Sequence, residues 1–92
     1  MKYISKLQEF LESELSDYSY FSYEIKFDEE NQDYEYYNVE INTLDKTKKQ
    51  LIFRVFKESL AVQMYDDGDY QITASHNFTA KYFWMALLSW DI

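Results

Sequence analysis

Strict alternation of apolar and polar residues in two neighbouring runs is the feature that most constrains the fold of this chain. Within residues 20–27, the apolar positions of one face are Phe21, Tyr23, Ile25 and Phe27. Within residues 35–43, they are Tyr37, Val39 and Ile41. Because successive side chains of a β-strand point to opposite faces, this period of two predicts two strands that each bury one face. The polar run 28–33 between them has the composition of a loop, which predicts an antiparallel hairpin.

Three further runs are predicted to continue the sheet. Residues 51–57 follow a polar loop at 45–49 and are apolar at most positions, which predicts a third, central strand. Residues 59–65 form a fourth strand with Leu60, Val62 and Met64 on one face, and residues 70–74 form a fifth. The turn 66–69 between them contains the only glycine, Gly68, which is expected to adopt a positive φ.

A helix is predicted at each end of the chain. Residues 2–15 repeat apolar side chains at helical spacing through Ile4, Leu7, Leu11 and Leu15. Residues 80–90 are apolar on nearly every side, and Thr79 can cap the helix N-terminus. The predicted fold class is α+β: a single domain over residues 1–92, with a four- or five-stranded antiparallel meander sheet, an N-terminal helix and a C-terminal helix.

The C-terminal helix has more apolar surface than a two-layer domain covers. Its large side chains are therefore predicted to lie at the interface of a homodimer or of a partner complex. The residues of this predicted interface are Trp84, Met85, Leu88 and Trp90. The alternative is a helix fully buried between the sheet and the first helix.

Charge is strongly segregated along the chain. Seventeen acidic and nine basic residues give a net charge of −8. Residues 8–45 contain twelve acids and one base, Lys26, whereas residues 46–57 contain five bases and no acid. This pattern predicts repulsion from nucleic acid and attraction to basic protein surfaces. The alternative is that the acids serve only solubility.

Residues for catalysis, cofactors and metals are scarce. The chain has no cysteine and a single histidine, His76, and its single glycine cannot form a phosphate-binding loop. The run 66–69 lacks the spacing of a calcium-binding loop. We therefore predict no enzymatic activity, no cofactor and no metal site.

Targeting segments are not predicted either. The first residues become polar within a few positions, unlike a signal peptide, and the longest apolar run, residues 82–88, is far shorter than the ~20 residues of a membrane span. The predicted location is the cytoplasm, with no membrane partner.

Acids interleaved with tyrosines in the hairpin form the candidate binding surface. Alternate side chains on one face of a strand are ~6.6 Å apart, and each DNA strand carries one charge per ~3.4 Å, so a row of carboxylates can imitate a phosphate backbone. Tyrosines can stack on arginine. The predicted partner-binding residues are Glu24, Asp28, Glu29, Glu30, Asp33, Tyr34, Glu35, Tyr36 and Glu40. The alternative is a solvated hairpin whose tyrosines only cover the sheet.

This short, acidic, cysteine-free α+β chain with its Tyr/Asp/Glu-rich hairpin resembles the phage-encoded anti-CRISPR and DNA-mimic inhibitors. The resemblance is one of kind over the whole chain and rests on no motif. It implies a non-catalytic inhibitor in the host cytoplasm that occupies the basic, nucleic-acid-binding surface of a defence complex such as a Cas protein. Small acidic immunity proteins, which neutralise basic nuclease toxins, are the alternative.

Overall fold

One helix and five strands make up the fold of the computed structural model, which describes residues 3–15, 21–42, 48–66, 68–72, 83, 84 and 87. Each strand pairs antiparallel with the next, in the order β1-β2-β3-β4-β5. The predicted N-terminal helix and antiparallel meander are confirmed, with the third strand at the centre. The elements are α1 (Ile4–Leu15), β1 (Ser22–Glu30), β2 (Tyr34–Asn42), β3 (Lys48–Phe56), β4 (Val62–Asp66) and β5 (Asp69–Ile72).

The period-two pattern divides the sheet into an inner and an outer face. The inner face of the three middle strands is the core of the domain, and helix α1 packs on β3 and β4. The outer face reaches solvent, since its side chains Ile52 and Tyr65 remain 41% and 43% exposed. The buried residues of the inner face are Tyr37, Val39, Ile41, Leu51, Phe53, Val55, Val62 and Met64.

Helix α1 buries the stripe predicted from its helical spacing. Leu7, Phe10, Leu11 and Leu15 are buried, whereas Ile4 is half-buried at the start of the helix. The ring of Phe10 packs 6.1 Å from that of Phe53 and edge-to-face, at 5.2 Å, on that of Phe83. Full burial of a side chain of this size contributes about 1.5–3 kcal/mol, so this stripe holds the helix on the sheet.

Strand β1 is longer than the alternation predicts. The predicted loop over residues 28–33 is wrong in its first half, because β1 continues to Glu30 and only residues 31–33 connect it to β2. The register shifts between Phe27 and Glu29, which makes Asp28 the extra residue of a β-bulge. An edge strand can carry charged side chains on both faces, so its composition resembles that of a loop.

The other strand boundaries differ by a few residues. Lys48 and Lys49, predicted as loop, belong to β3, whereas the fourth strand begins at Val62 instead of residue 59. Leu60 has φ 62° in the turn before β4, and Gly68 has the expected positive φ, at 86°. The predicted strand ends at 20, 21, 43, 57, 73 and 74 are not part of the strands above, and all but 21 and 57 lie outside the described residues.

The predicted C-terminal helix over residues 80–90 falls mainly outside the described part of the chain. No C-terminal helix is among the described elements, and only Phe83, Trp84 and Leu87 are described in that range. Phe83 and Leu87 are buried in the core. The Trp84 indole N–H donates to Glu14 Oε1 at 2.8 Å, and its ring packs 5.8 Å from that of Phe21.

The oligomer interface stays a prediction, since Met85, Leu88 and Trp90 lie outside the described residues. His76 and Thr79 also lie outside them. Within the described part of the chain, no helix has the length and apolarity that crossing a membrane requires.

Candidate protein-binding site

Glu35, one of the nine predicted binding residues, is buried and faces the core. It is 1% exposed because the alternation of β2 places it on the same inner face as Tyr37. The Tyr37 hydroxyl and the backbone N–H of Tyr3 both donate hydrogen bonds to its Oε1 atom. Burial, the hydrogen bond to Glu35 and the charge of Glu35 together raise the pKa of Tyr37. The prediction that Glu35 belongs to the binding surface is therefore wrong.

Three other predicted acids form ion pairs with lysines. Glu24 lies 3.6 Å from Lys26 Nζ, and Glu40 lies 3.7 Å from Lys48 Nζ. Glu24 and Glu40 are directly opposite each other on β1 and β2, so the two lysines flank a like-charge pair that would otherwise repel.

Glu30 accepts a hydrogen bond from Lys57 Nζ at 2.6 Å, and this bond raises the pKa of Lys57. Exposed ion pairs contribute little to stability, but each one neutralises charge locally. The three paired acids, Glu24, Glu30 and Glu40, therefore present less negative charge to a partner than their number implies.

Asp28, Glu29 and Asp33, here called the tip acids, are exposed at the end of the β1–β2 hairpin. Among the described residues, none of them takes part in an ion pair. The connecting turn is closed by hydrogen bonds: Asn31 Oδ1 accepts the backbone N–H groups of Asp33 and Tyr34, both at 2.8 Å. The backbone N–H of Lys57 donates to the Asp33 carbonyl at 2.8 Å. The tip acids are thus held on a defined backbone.

An arginine enclosed by aromatic rings lies on the outer face beside this tip. The guanidinium carbon of Arg54 is 3.8 Å from the ring centroid of Tyr34 and 4.0 Å from that of Tyr70. Its Nε–H donates to Gln63 Oε1 at 2.6 Å. Tyr36 and Gln63 are the residues directly opposite Arg54 on the two neighbouring strands.

Further aromatic contacts extend this group across four strands. Tyr34 packs 6.0 Å from Tyr36 and 5.2 Å from Phe56, while Tyr70 packs 6.2 Å from Tyr36 and 5.1 Å from Tyr65. Burial and the neighbouring Tyr36 raise the pKa of Tyr70, whereas Arg54 acts in the opposite direction. We call these residues the Arg54 cluster: Tyr34, Tyr36, Arg54, Phe56, Gln63, Tyr65 and Tyr70.

The tip acids border the Arg54 cluster. Glu29 is paired with Tyr36 in the sheet register, and Asp33 precedes Tyr34 directly in the chain. The negative charge of Asp28 contributes to the raised pKa of Tyr70, which places this carboxylate within electrostatic reach of the cluster. Asp28 and Glu29 therefore connect the negative charge of the tip to the aromatic surface.

The sequence prediction identified Tyr34 and Tyr36 in this patch but missed Arg54, Phe56, Gln63, Tyr65 and Tyr70. The alternation within β3 already places Arg54 on the face opposite Phe53 and Val55. The contacts with Tyr34 and Tyr70 depend on how three hairpins align, which local spacing does not specify.

Other features of the described residues give no second candidate for a functional site. No group of three or more His, Cys, Asp or Glu side chains among them is placed to hold a metal ion. A shallow depression on the outer face lies beside the paired acids and is lined by Lys26, Asn38, Val39, Glu40 and Gln50. No protein-family model, curated protein or solved structure matches this chain.

Proposed function

We propose that this chain is a non-catalytic domain that binds the basic, nucleic-acid-binding surface of another protein and blocks it. The observation that carries the proposal is the position of the tip acids. They lie outside the ion pairs of the described residues, and Glu29 is opposite Tyr36 of a largely half-buried aromatic cluster on the outer face. A patch of this kind combines negative charge for attraction with apolar area for affinity.

The partner's chemistry follows from the patch. Surfaces that bind phosphate backbones are rich in arginine and lysine, and carboxylates on an ordered turn can pair with them. Tyrosine rings accept the flat guanidinium group of arginine by stacking, as Tyr34 and Tyr70 do with Arg54 within this chain. The net charge of −8 increases the rate of encounter with such a surface.

Direct binding of nucleic acid is the less favoured interpretation of the same patch. Aromatic side chains on a sheet can stack on the bases of single strands, but such sites combine stacking with a positively charged groove. Here the aromatic rings adjoin the tip acids, and Arg54 is the single cation within the cluster. Phosphate groups would be repelled from the hairpin tip.

The resemblance to anti-CRISPR and DNA-mimic inhibitors suggests the class of target. We propose a nucleic-acid-binding defence complex as the partner, since its guide or target channel has the required basic character. A basic nuclease toxin offers the same chemistry, and the experiment below distinguishes the two by identifying the captured protein.

Capture from the cell in which this chain is made tests the proposal. Two variants with equal charge change are compared with the wild type: Asp28→Lys/Glu29→Lys at the hairpin tip and Gln8→Lys/Glu9→Lys/Ser13→Lys on exposed positions of α1. Both variants raise the net charge by four. In the hairpin variant two acids become lysines, and in the helix variant one acid and two neutral residues become lysines. Captured proteins are identified by mass spectrometry, and bound material is then challenged with a duplex oligonucleotide.

We expect the wild type and the helix variant to retain one basic protein that the duplex releases. The hairpin variant should lose it, because lysines on the tip would repel a basic surface. Equal capture by all three proteins would mean that the hairpin is ordinary solvated surface. Direct binding of the oligonucleotide by the isolated chain would also contradict the proposal.

A further inference from the structure

The guanidinium of Arg54 is held from three sides. The ring centroids of Tyr34 and Tyr70 lie 3.8 and 4.0 Å from its central carbon, and Gln63 accepts the Nε–H. These three contacts restrict the rotamers of the side chain, whereas an arginine on an open surface samples many rotamers.

The two terminal nitrogens, Nη1 and Nη2, are left for an external group. No carboxylate of the described residues pairs with Arg54. No buried side-chain nitrogen or oxygen in the described part of the chain is without a hydrogen-bond partner, so these nitrogens reach solvent. A guanidinium that is held by two rings and through its Nε–H, with both terminal nitrogens open, can offer a carboxylate the bidentate geometry that it prefers.

We infer that Arg54 is a receptor for one carboxylate of the bound protein, an Asp or Glu side chain set among the partner's basic residues. The inference rests on the proposed function and adds to it the determinant of specificity. The tip acids attract any basic surface, whereas Arg54 selects a surface that has an acid at the matching position.

Charge complementarity favours this occupant over a second copy of the chain. Two copies facing each other would bring two sets of tip acids together, each on a chain of net charge −8. A basic surface with a single acid satisfies the tip acids and Arg54 at once. The patch is thus negative at its border and positive at its centre.

Two matched peptides test the inference without knowledge of the partner. The probes are Lys-Lys-Glu-Lys-Lys amide and the same peptide with Gln in place of Glu, titrated into isotope-labelled protein and followed by NMR. The Glu peptide has one less net positive charge, so the tip acids alone would bind it more weakly. The proteins are the wild type, Arg54→Gln, Arg54→Lys, Lys48→Gln and Asp28→Asn/Glu29→Gln/Asp33→Asn.

In the wild type we expect the Glu peptide to bind at least as tightly as the Gln peptide and to shift the Arg54 Nε–H resonance. In Arg54→Gln, the ratio of the two affinities should shift about tenfold in favour of the Gln peptide. This is the change expected when one charge-assisted hydrogen-bonded pair is lost. Arg54→Lys should give an intermediate ratio, since lysine keeps the positive charge but cannot donate two parallel hydrogen bonds to a carboxylate. Lys48→Gln removes a cation from the same face and should leave the ratio unchanged.

The outcomes separate the inference from the proposed function. If the triple acid variant binds both peptides more weakly but substitutions of Arg54 do not change the ratio, Arg54 is a structural residue and only the inference fails. If the ratio depends on Arg54 but the triple variant binds as well as the wild type, the proposed role of the tip acids fails. If neither peptide binds the wild type, both the inference and the proposed function are overturned. Both are also overturned if light scattering without peptide shows that the wild type is a dimer and that Arg54→Gln is a monomer.

Discussion

The hydroxyl of Tyr37 donates a hydrogen bond to the carboxylate of Glu35, and both residues are buried on the inner face of β2. The same Glu35 oxygen accepts the backbone N–H of Tyr3 at 3.0 Å, so it connects the residue before α1 to the sheet. A buried carboxylate is tolerated when hydrogen-bond donors compensate for its lost hydration. The donors from Tyr37 and Tyr3 therefore stabilise Glu35 in its buried position. Glu35 is therefore a structural acid in a region whose other acids face solvent.

Replacing Glu35 by alanine should destabilise the protein by about 2–4 kcal/mol, because two donors lose their acceptor in a buried site. Glu29→Ala, on the exposed side of the same hairpin, should change stability by less than about 0.5 kcal/mol. Urea unfolding followed by circular dichroism measures both values. Similar losses in the two variants would contradict the burial of Glu35.

Phe53 and Ile52 are neighbours in the chain on opposite faces of β3. Phe53 is fully buried against Phe10 and Phe83, so Phe53→Ala should cost about 3–5 kcal/mol. Ile52 is 41% exposed on the outer face, and Ile52→Ala should cost less than about 1 kcal/mol. Thermal unfolding of the two variants measures the difference, and a larger loss for Ile52→Ala would reverse the assignment of the faces.

Stability should fall at high pH through Tyr23. Burial, followed by the hydrogen bond to Glu12 and the charge of Glu12, raises the pKa of Tyr23 from 10.0 to about 12. Between pH 10 and about pH 12, this hydroxyl stays neutral in the folded state but is ionised in the unfolded state. The contribution of Tyr23 to stability is therefore complete below pH 10 and is lost as the pH rises towards 12.

Tyr23→Phe should make the loss of stability above pH 10 shallower, without abolishing it, since the pKa of Tyr37 is raised in the same direction. The near-ultraviolet absorbance of tyrosinate and the unfolding free energies at several pH values measure the effect. Glu12→Gln should lower the pKa of Tyr23, whereas Glu9→Gln, an exposed neighbour on α1, serves as the control. An unchanged pH profile in Tyr23→Phe would contradict this assignment.

Two turn residues with positive φ should respond to substitution in opposite directions. Leu60 has φ 62°, which a side chain with a Cβ adopts only with strain, so Leu60→Asn should stabilise the protein by about 0.5–1 kcal/mol. Gly68 has φ 86°, so Gly68→Ala should destabilise it by about 1 kcal/mol or more. A Cβ at Gly68 would meet no atom within 4 Å, which leaves backbone conformation as the cause. Chemical unfolding gives both signs, and a stabilising Gly68→Ala would contradict the left-handed turn.

Local patterns predicted the strands well where one face is buried and the other is not. Tyr37, Val39 and Ile41 alternate with half-buried polar or aromatic residues, and this pattern predicts β2 to within one residue at each end. The pattern failed in β1, where Asp28 forms a bulge and the strand continues through charged residues at the edge of the sheet. A solvated edge strand imposes no burial on its side chains, so composition does not distinguish it from a loop.

What the sequence determines by itself is therefore local: the period of each element, the face each side chain takes along a regular strand, and the overall negative charge. The tertiary structure decided which charges are available. Glu24, Glu30 and Glu40 form ion pairs with lysines that are two to 27 positions away in the chain, whereas Asp28, Glu29 and Asp33 form no ion pair with any described residue. The tertiary structure also placed Arg54 against Tyr34, which is 20 positions away in the chain, and against Tyr70, which is 16 positions away. The Glu24–Lys26 pair lies within β1, but the other contacts arise from the register of several paired strands. Register is a property of the assembled sheet, since a shift of one residue would turn a whole strand's side chains to the other face.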